Sequence, residues 1–389
     1  MTCAAEIGVF RSLDAVSPPF SHCDPSVFPD DTSWYSLFET HVADQNSNIL
    51  VFQAKSKDQR ATVVFPLVQL RSPFGRVTLA SMENYYSVDF RPLCSTPGAR
   101  LLIESILAQI TRTAATDILR LQPLDIDAPE TEISEQALRK LGWRVYRSLS
   151  HVNWVHDFEG NFDDYMSQRP GRLRSTLRRK SAKLMALGDV EITIHDGQIG
   201  INKLIDAYQI IYARSWKVPE PHDRFIPELI AKIAQMGQLR LGLLKIGNRP
   251  IAAHFWIVKH GYAYIYKLAH DREFDRYSPG TVLMAKMVQY VLENDEVTRL
   301  DFLTGDDGYK RDWMTERRRK LTITAYNPRS LHGIVAHFMD QQCRPVVNRL
   351  TIRFKNNPLT AAIADRIFLR KRPPLICPTR ASAVSKPVP

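Results

Sequence analysis

The chain has 389 residues, of which 44% are hydrophobic and 24% charged, and a formal net charge of +11. That length and balance suit a soluble globular protein of two domains, each with a core of ordinary size. No stretch approaches the roughly 18 consecutive apolar residues of a membrane span. The scattered cysteines (Cys3, Cys23, Cys94, Cys343, Cys377) form no C-x-x-C pair, so reduced thiols and no metal are expected.

Residues 1–30 are rich in Pro, Ser and Asp and suggest a loose N-terminal arm. They lack the basic start and long apolar run of a signal peptide, which points to a cytoplasmic protein. From 31 the texture is mixed α/β. "TSWYSLFETHV" has the pattern of a helix. "NILVFQAKS" and "ATVVFPLVQL" are strands of a hairpin, and "GRVTLASM" is a further strand. "GARLLIESILAQITRTA" is an amphipathic helix, "DILRLQPL" a strand, and "ISEQALRKLG" a helix stopped at Gly142. "WRVYRSLSHVNWVH" supplies one or two closing strands. A boundary is expected near residue 157.

The second half repeats that order. "YMSQRPGRLRSTLRRKSAKLMALG" predicts one helix ending at Gly188, with seven Lys/Arg and no acid over 169–183. Such a run is either a solvated face or a surface for phosphates, nucleic acid or anionic lipid. "DVEITIHD" is a strand, and "GINKLIDAYQIIYARSW" and "PELIAKIAQMG" are helices. "LRLGLLKI", a Gly-Asn turn and "RPIAAHFWIVKH" make a hairpin that continues into "AYIYKLAH". Alternation sets His254 beside Ala252 and Trp256, either as a satisfied core histidine or as a general base facing a cleft. It also sets Tyr262, Tyr264 and Tyr266 on one face and Lys267 on the other; the tyrosines suit packing or the stacking of a sugar ring.

"SPGTVLMAKMVQYVLEN" opens a helix at Pro279 with apolar rows Leu283–Met287–Val291 and Met284–Val288–Leu292. Ser278 is a favoured N-cap, and Pro279 suits the first helical position. The amides of Gly280, Thr281 and Val282, with the helix dipole, form a seat for an anion. "VTRLDFLTG" and "KLTITAYN" are the remaining strands. The tail, 327–389, holds 11 Lys/Arg against 2 Asp/Glu. Its segment 354–375 is either a packed helix with a loose end or a contact for anionic lipid at the inner membrane face.

Five stretches carry a family resemblance: "RLRSTLRRKSAKLMALG" (172–188), "YARSWK" (212–217), "LRLGLLKIGNRPIAAHFWIV" (239–258), "HDREFDRYSPGTVLM" (270–284) and "LDFLTGDDGYKRDW" (300–313). On these the chain resembles the CelD/BcsL-like family of the GNAT acyltransferase superfamily. The first half follows by element order and by similarity to the tandem Fem peptidyltransferases. The resemblance implies an α/β (α+β) fold of two GNAT-like domains, 31–157 and 158–326, each a mixed sheet flanked by helices, followed by a basic helical tail. It implies acetyl-CoA or a longer acyl-CoA as donor, its pyrophosphate at Tyr277, Ser278, Pro279, Gly280 and Thr281. Of the usual Q/R-x-x-G-x-G/A signature only Gly280 is present.

No nucleophile elbow is present, so direct attack in a ternary complex is expected. The resemblance places Tyr309 as the acid for the leaving thiolate. Lys310 would steady the oxyanion or a phosphate, with Asp301 beside them as a catalytic, capping or ion-pairing carboxylate. Asp306, Asp307 and Trp216 are expected to contact the acceptor, and Glu220 and His222 lie in the same loop. In the first half, "SMENYYSVDFRPL" (81–93) lacks a phosphate turn, and Tyr85, Tyr86 and Asp89 would line an acceptor groove. Family likeness gives a carbohydrate or cell-envelope precursor as acceptor. Two rivals remain: an aminoacyl-tRNA donor held by the basic runs, and a non-catalytic partner of an envelope polysaccharide synthase. The basic runs lack interleaved aromatics, which counts against nucleic acid.

Overall fold

A computed structural model describes residues 5–16, 32–43, 48–113 and 115–343; the basic tail beyond 343, with the lipid-contact segment expected there, lies outside the described residues. The first half holds β1 (Ala5–Phe10), α1 (Thr32–His41), β2 (Asn48–Ser56), β3 (Thr62–Arg71), β4 (Val77–Ser81), β5 (Leu93–Cys94), α2 (Leu102–Thr113), β6 (Ile118–Asp125), α3 (Pro129–Lys140) and β7 (Arg144–Asp157). The second half begins with α4 (Phe162–Ser167), α5 (Gly171–Met185), β8 (Val190–His195), α6 (Ile201–Arg214), α7 (Phe225–Gln235), β9 (Leu239–Ile246) and β10 (Arg249–Lys259). It continues with β11 (Tyr262–His270), α8 (Pro279–Asn294), β12 (Arg299–Thr304), α9 (Lys310–Trp313), β13 (Glu316–Tyr326) and α10 (Leu331–Phe338).

One sheet runs through both halves in the order β1-β2-β3-β4-β6-β13-β7-β12-β11-β10-β9-β8, with β5 paired to β3. Among the described residues two pairings are parallel, β4 with β6 and β11 with β12. Each crossover carries one long helix, α2 after the short β5 in the first half and α8 in the second. The closing strands are exchanged. β13, from the second half, lies antiparallel between β6 and β7, while β7, from the first half, lies antiparallel to β12.

Three cores follow. One, under α1, α6 and α7, draws from both halves and includes Trp34, Tyr86, Phe225, Phe255 and Tyr264. A second lies under α2 and α3 in the first half. The third lies under α5 and α8, where Leu283, Met287 and Val291 are fully buried, as their i, i+4 spacing predicts. Each contributes roughly 1.5–3 kcal/mol over its exposed state. Gly242 of β9 lets α8 approach this closely, because a Cβ there would overlap the Met287 sulfur.

Four departures from the sequence expectations have local causes. Residues 5–10 of the expected loose arm form an edge strand antiparallel to β2. The helix expected over 165–188 is two, broken at Pro170, whose ring cannot continue a helix. β13 starts at Glu316, within a polar run whose backbone pairs with β7. Finally, Phe255 faces Lys267 while Trp256 faces Ile265, so Tyr266 is a bulge. The extra residue reverses the alternation and brings Lys267 to the tyrosine side of the strand, within 5.9 Å of the Tyr266 ring.

Candidate functional site

β11 and β12 pair only from Tyr262–Tyr264 to Arg299–Asp301. Beyond that point they part. β12 passes through an irregular step and rejoins β7 at Thr304 opposite Asn153. Within the step Leu303 has φ +54°, a left-handed backbone that a γ-branched residue rarely adopts. Its N–H donates to Asp301 Oδ1 at 2.7 Å. Lys310 Nζ donates to the carbonyls of Phe302 at 3.1 Å and Thr304 at 2.8 Å. A buried lysine thus clamps the bulge on its far side.

This geometry reassigns several residues. Lys310 is 4% exposed, its ammonium spent on two carbonyls, and burial lowers its pKa; it holds the backbone rather than projecting toward an oxyanion. Asp301 accepts from Asn153 Nδ2 and the Leu303 amide and pairs with no arginine; burial raises its pKa. Asp306 is committed to Trp154 Nε1 at 2.8 Å and the Arg317 guanidinium at 2.8 Å. Those bonds, Arg317 first, pull it down to about 2. Asp307 remains exposed, 3.8 Å from Lys310 Nζ. Tyr309 is 47% exposed, edge-on to Phe302 at 5.6 Å, and burial of its hydroxyl raises its pKa, which keeps the phenol protonated.

The opposite wall of the gap is the end of β11 and the start of α8. His270 closes β11, and a 3-10 turn over Arg272–Tyr277 leads into the helix, in place of a direct step from the strand. Ser278 occupies the cap position with φ +52°, and its side chain makes no capping bond. The amides of Thr281 and Val282 donate to the Ser278 carbonyl at 3.0 and 3.2 Å. The anion seat expected over 280–282 therefore narrows to Gly280 and the helix dipole. A Cβ on Gly280 would lie 3.1 Å from His270 Nδ1 and 3.8 Å from His254 Nε2. His254 is 1% exposed and sits beneath this turn rather than facing the cleft; burial first, then His270 and Lys217, lowers its pKa to about 3. Tyr277 is buried against Phe274, with Lys183 at 5.6 Å and Arg276 at 4.8 Å from its ring. Lys180 bonds the Arg276 carbonyl. The basic helix α5 thus lies along this mouth, and others of its run serve internally: Arg169 donates to the Trp313 carbonyl and Arg172 to Asp312.

The 215–224 loop packs against the far end of β11 through His270 and Lys267. Trp216 is 53% exposed, its ring 4.6 Å from that of His270. Lys217 Nζ lies 5.9 Å from the Tyr212 and Trp216 rings; burial, then the Lys267 and Lys310 charges, lowers it to about 8. Glu220 pairs with Lys267 at 2.9 Å, both largely buried. From the first half, Tyr85 is exposed with Lys267 Nζ 4.9 Å from its ring. Tyr86 is a packing residue: it stacks on Phe225 at 4.3 Å, and its hydroxyl bonds the backbone of His222. Asp89 is likewise structural, bonded to Arg91 at 3.2 Å and Lys320 at 3.1 Å inside a buried ion cluster.

Residues 171–311 match the family model described as an acetyltransferase (GNAT) domain. The parted strands, the Gly280 turn and the Tyr309–Lys310 segment all fall in this GNAT domain. The fold as a whole is similar to the crystal structure of FemX, with TM-score 0.52 and 11% identity over 80% of this chain and 98% of that one. A tandem GNAT protein from the clavulanic acid biosynthesis pathway aligns with TM-score 0.43 and 12% identity over 79% of this chain and 91% of that one. The C-terminal domain of a putative lysylphosphatidylglycerol synthetase from Agrobacterium fabrum gives 0.47 and 10% over 76% and 89%. No curated protein matches in sequence. Among the described residues no group of His, Cys, Asp or Glu is placed to hold a metal ion, and no helix is long and apolar enough to cross a membrane.

Lys217 and His151 were not singled out in the sequence. Lys217 lies in "YARSWK", a stretch that carries the resemblance, so a signal existed. His151 sits mid-way along a strand, and only the strand exchange brings it to Thr304.

Proposed function

We propose that the protein is an acyltransferase of GNAT type that moves an acyl group from an acyl-CoA to an amine or hydroxyl of a carbohydrate or cell-envelope precursor. The observation that carries this reading is the parting of β11 from β12 beside the mouth of α8, inside the GNAT domain. The residues present fit such a donor. Gly280 keeps the helix mouth free of a side chain, the 16-residue α8 directs its dipole there, and Lys180 and Lys183 flank it, so these groups would meet a diphosphate. A bound acyl-CoA supplies an activated thioester.

The chain's own groups then have separable tasks. Lys310 fixes the bulge that holds the strands apart. Lys217, charged below about pH 8, places a cation in the gap where an oxyanion would form. Tyr309 holds a proton for the departing sulfur. Trp216 and the 215–224 loop pack against the far end of β11. The CelD/BcsL-like resemblance supports a polysaccharide context, and the expected cytoplasmic location and membrane-surface contact belong to the same proposal.

Calorimetry and thermal unfolding test the donor. Acetyl-CoA and longer acyl-CoAs should compete for one site and raise Tm, a ligand at 100 times its Kd adding about 2.7 kcal/mol. If none binds, the reading fails. A second reading, with an aminoacyl-tRNA donor, draws on the likeness to FemX and the basic α5. Retention of tRNA that falls steeply with salt would favour it.

A further inference from the structure

A groove of about 600 Å³ runs along the first half between the 83–87 loop and strands β6, β13 and β7. It lies where β4 and β6 part, the counterpart in the first half of the gap between β11 and β12. Its volume is within the range of ligand sites, roughly 300–1,000 Å³. Its lining is unusual for an apolar pocket. Hydroxyls and amides dominate: Gln122, Ser148, Thr322 and Thr324, with the rings of Tyr85, Tyr146 and Tyr326 at the sides.

Of the charges in the lining, Arg120 acts on Glu83 through charge alone and bonds no carboxylate among the described residues, while the others are paired. Arg147 pairs with Glu135, and Glu83 accepts from Gln122 Nε2 at 2.7 Å with its pKa raised by burial. Asn84, 9% exposed, also lines the groove, and its Nδ2 has no hydrogen-bond partner. A buried donor left unmade costs about 1–3 kcal/mol. Aromatic faces, neutral donors and acceptors, and one unanswered amide match a neutral, polyhydroxylated ring.

The inner end of this groove meets the donor gap. Thr304, which lines the groove, offers its carbonyl to Lys310 and its hydroxyl to His151 Nε2 at 3.3 Å. Ser150 Oγ lies 3.3 Å from His151 Nδ1. With Nδ1–H donating to Ser150, the Nε2 lone pair faces Thr304 and the groove. We propose that the groove seats a sugar ring of the acceptor and that His151 is the general base for its attacking amine or hydroxyl. The acceptor atom bonds the thioester carbonyl carbon, its proton passes to His151 Nε2, the carbon–sulfur bond breaks, and the thiolate takes a proton from Tyr309. Solvent then returns the proton from His151 to Tyr309. Burial lowers the pKa of His151 to about 4, so its imidazole is neutral at pH 7.

The inference rests on the acyltransferase reading, and two assays separate them. Saturation-transfer NMR with glucose, glucosamine, cellobiose and N-acetylglucosamine probes the groove without any donor. At least one saccharide should bind, and Ser148→Trp, which fills the groove from the exposed side of β7, should weaken it at least tenfold while acetyl-CoA binding persists. Absence of saccharide binding, or equal binding by Ser148→Trp, overturns the groove. Loss of acetyl-CoA binding with saccharide binding intact overturns the donor reading instead. His151→Gln should lower kcat with the saccharide that binds by about 10²–10⁴-fold, with KM within a few-fold. Ser150→Ala, which disturbs only the tautomer, should lower kcat less. An unchanged kcat in both variants, or a loss confined to KM, overturns the base.

Discussion

Leu303 is held at φ +54° by three bonds, one from its own amide to Asp301 and two from Lys310 to the flanking carbonyls. A left-handed, non-glycine residue costs of order 1–3 kcal/mol and persists only when its surroundings over-determine it. Lys310→Met removes two charge-assisted bonds and leaves two carbonyls unanswered. It should lower stability by about 1–3 kcal/mol and let the bulge relax, so the urea midpoint and kcat fall together. Tyr309→Phe, at an exposed position, should lower kcat and leave the midpoint in place; a full-rate Tyr309→Phe protein removes the acid role. Two further histidines add to the acid limit that His151 shares. His156 and His254, 3% and 1% exposed, have pKa values lowered to about 4 and 3, chiefly by burial. The depressed folded value means the unfolded chain binds protons first as pH falls. Their stabilisation is complete above about pH 6.5 and is lost toward pH 4 and 3. Each should take about 1.4 kcal/mol per pH unit off the unfolding free energy in that window. Urea titrations at pH 7.5, 6 and 5 read the slope, and His254→Phe should flatten it by its share.

At the scale of elements, α8 combines a docking face with a bare first turn. The face was legible in the i, i+4 spacing of Leu283, Met287 and Val291, and the succession of most elements along each half followed from alternation and turn residues, whereas the exchange of closing strands did not. The contents of the turn were not legible. Gly280 is hemmed in by His270 and His254, and those neighbours come from two strands whose register no local pattern reveals. Gly280→Ala should change stability by no more than about 1 kcal/mol, since helix propensity gained opposes the 3.1 Å approach to His270 Nδ1. The same methyl should weaken acetyl-CoA binding at least tenfold in calorimetry; unchanged affinity would place the donor elsewhere. The Tyr266 bulge explains why Lys267 was set on the wrong face: one inserted residue shifts a period-two pattern, and nothing in "AYIYKLAH" announces it. Asp306 and Lys310 looked free because charged residues in a glycine-containing loop resemble site groups, and Asp89 because it follows two tyrosines in a polar loop. Their partners, Lys320, Arg317 and the carbonyls of Phe302 and Thr304, are placed by tertiary contacts alone.

For the molecule as a whole, the exchange of closing strands matters most. Lys320 of β13 bonds Asp89 at 3.1 Å and Asp125 at 3.0 Å, so a second-half ammonium neutralises two buried first-half carboxylates. Along its length β13 covers β6 from Ile118 to Asp125 and β7 from Arg144 to Val155. Cutting the chain near 157 would strip that strand from the first half, expose Leu119, Leu121 and Val145, and leave Asp89 and Asp125 without Lys320. Uncovering a buried charge of this kind costs about 3–5 kcal/mol by itself, a large part of the 5–15 kcal/mol that holds an ordinary domain. A fragment of residues 1–157 should therefore show no cooperative unfolding transition. The intact chain should unfold in one transition, with the first-half Trp143 and second-half Trp256 fluorescence changing at the same urea concentration. Lys320→Met should move that shared midpoint for both probes together. A 1–157 fragment with dispersed amide resonances and its own sharp transition would mean that each half is self-sufficient and that the shared sheet carries no coupling between them.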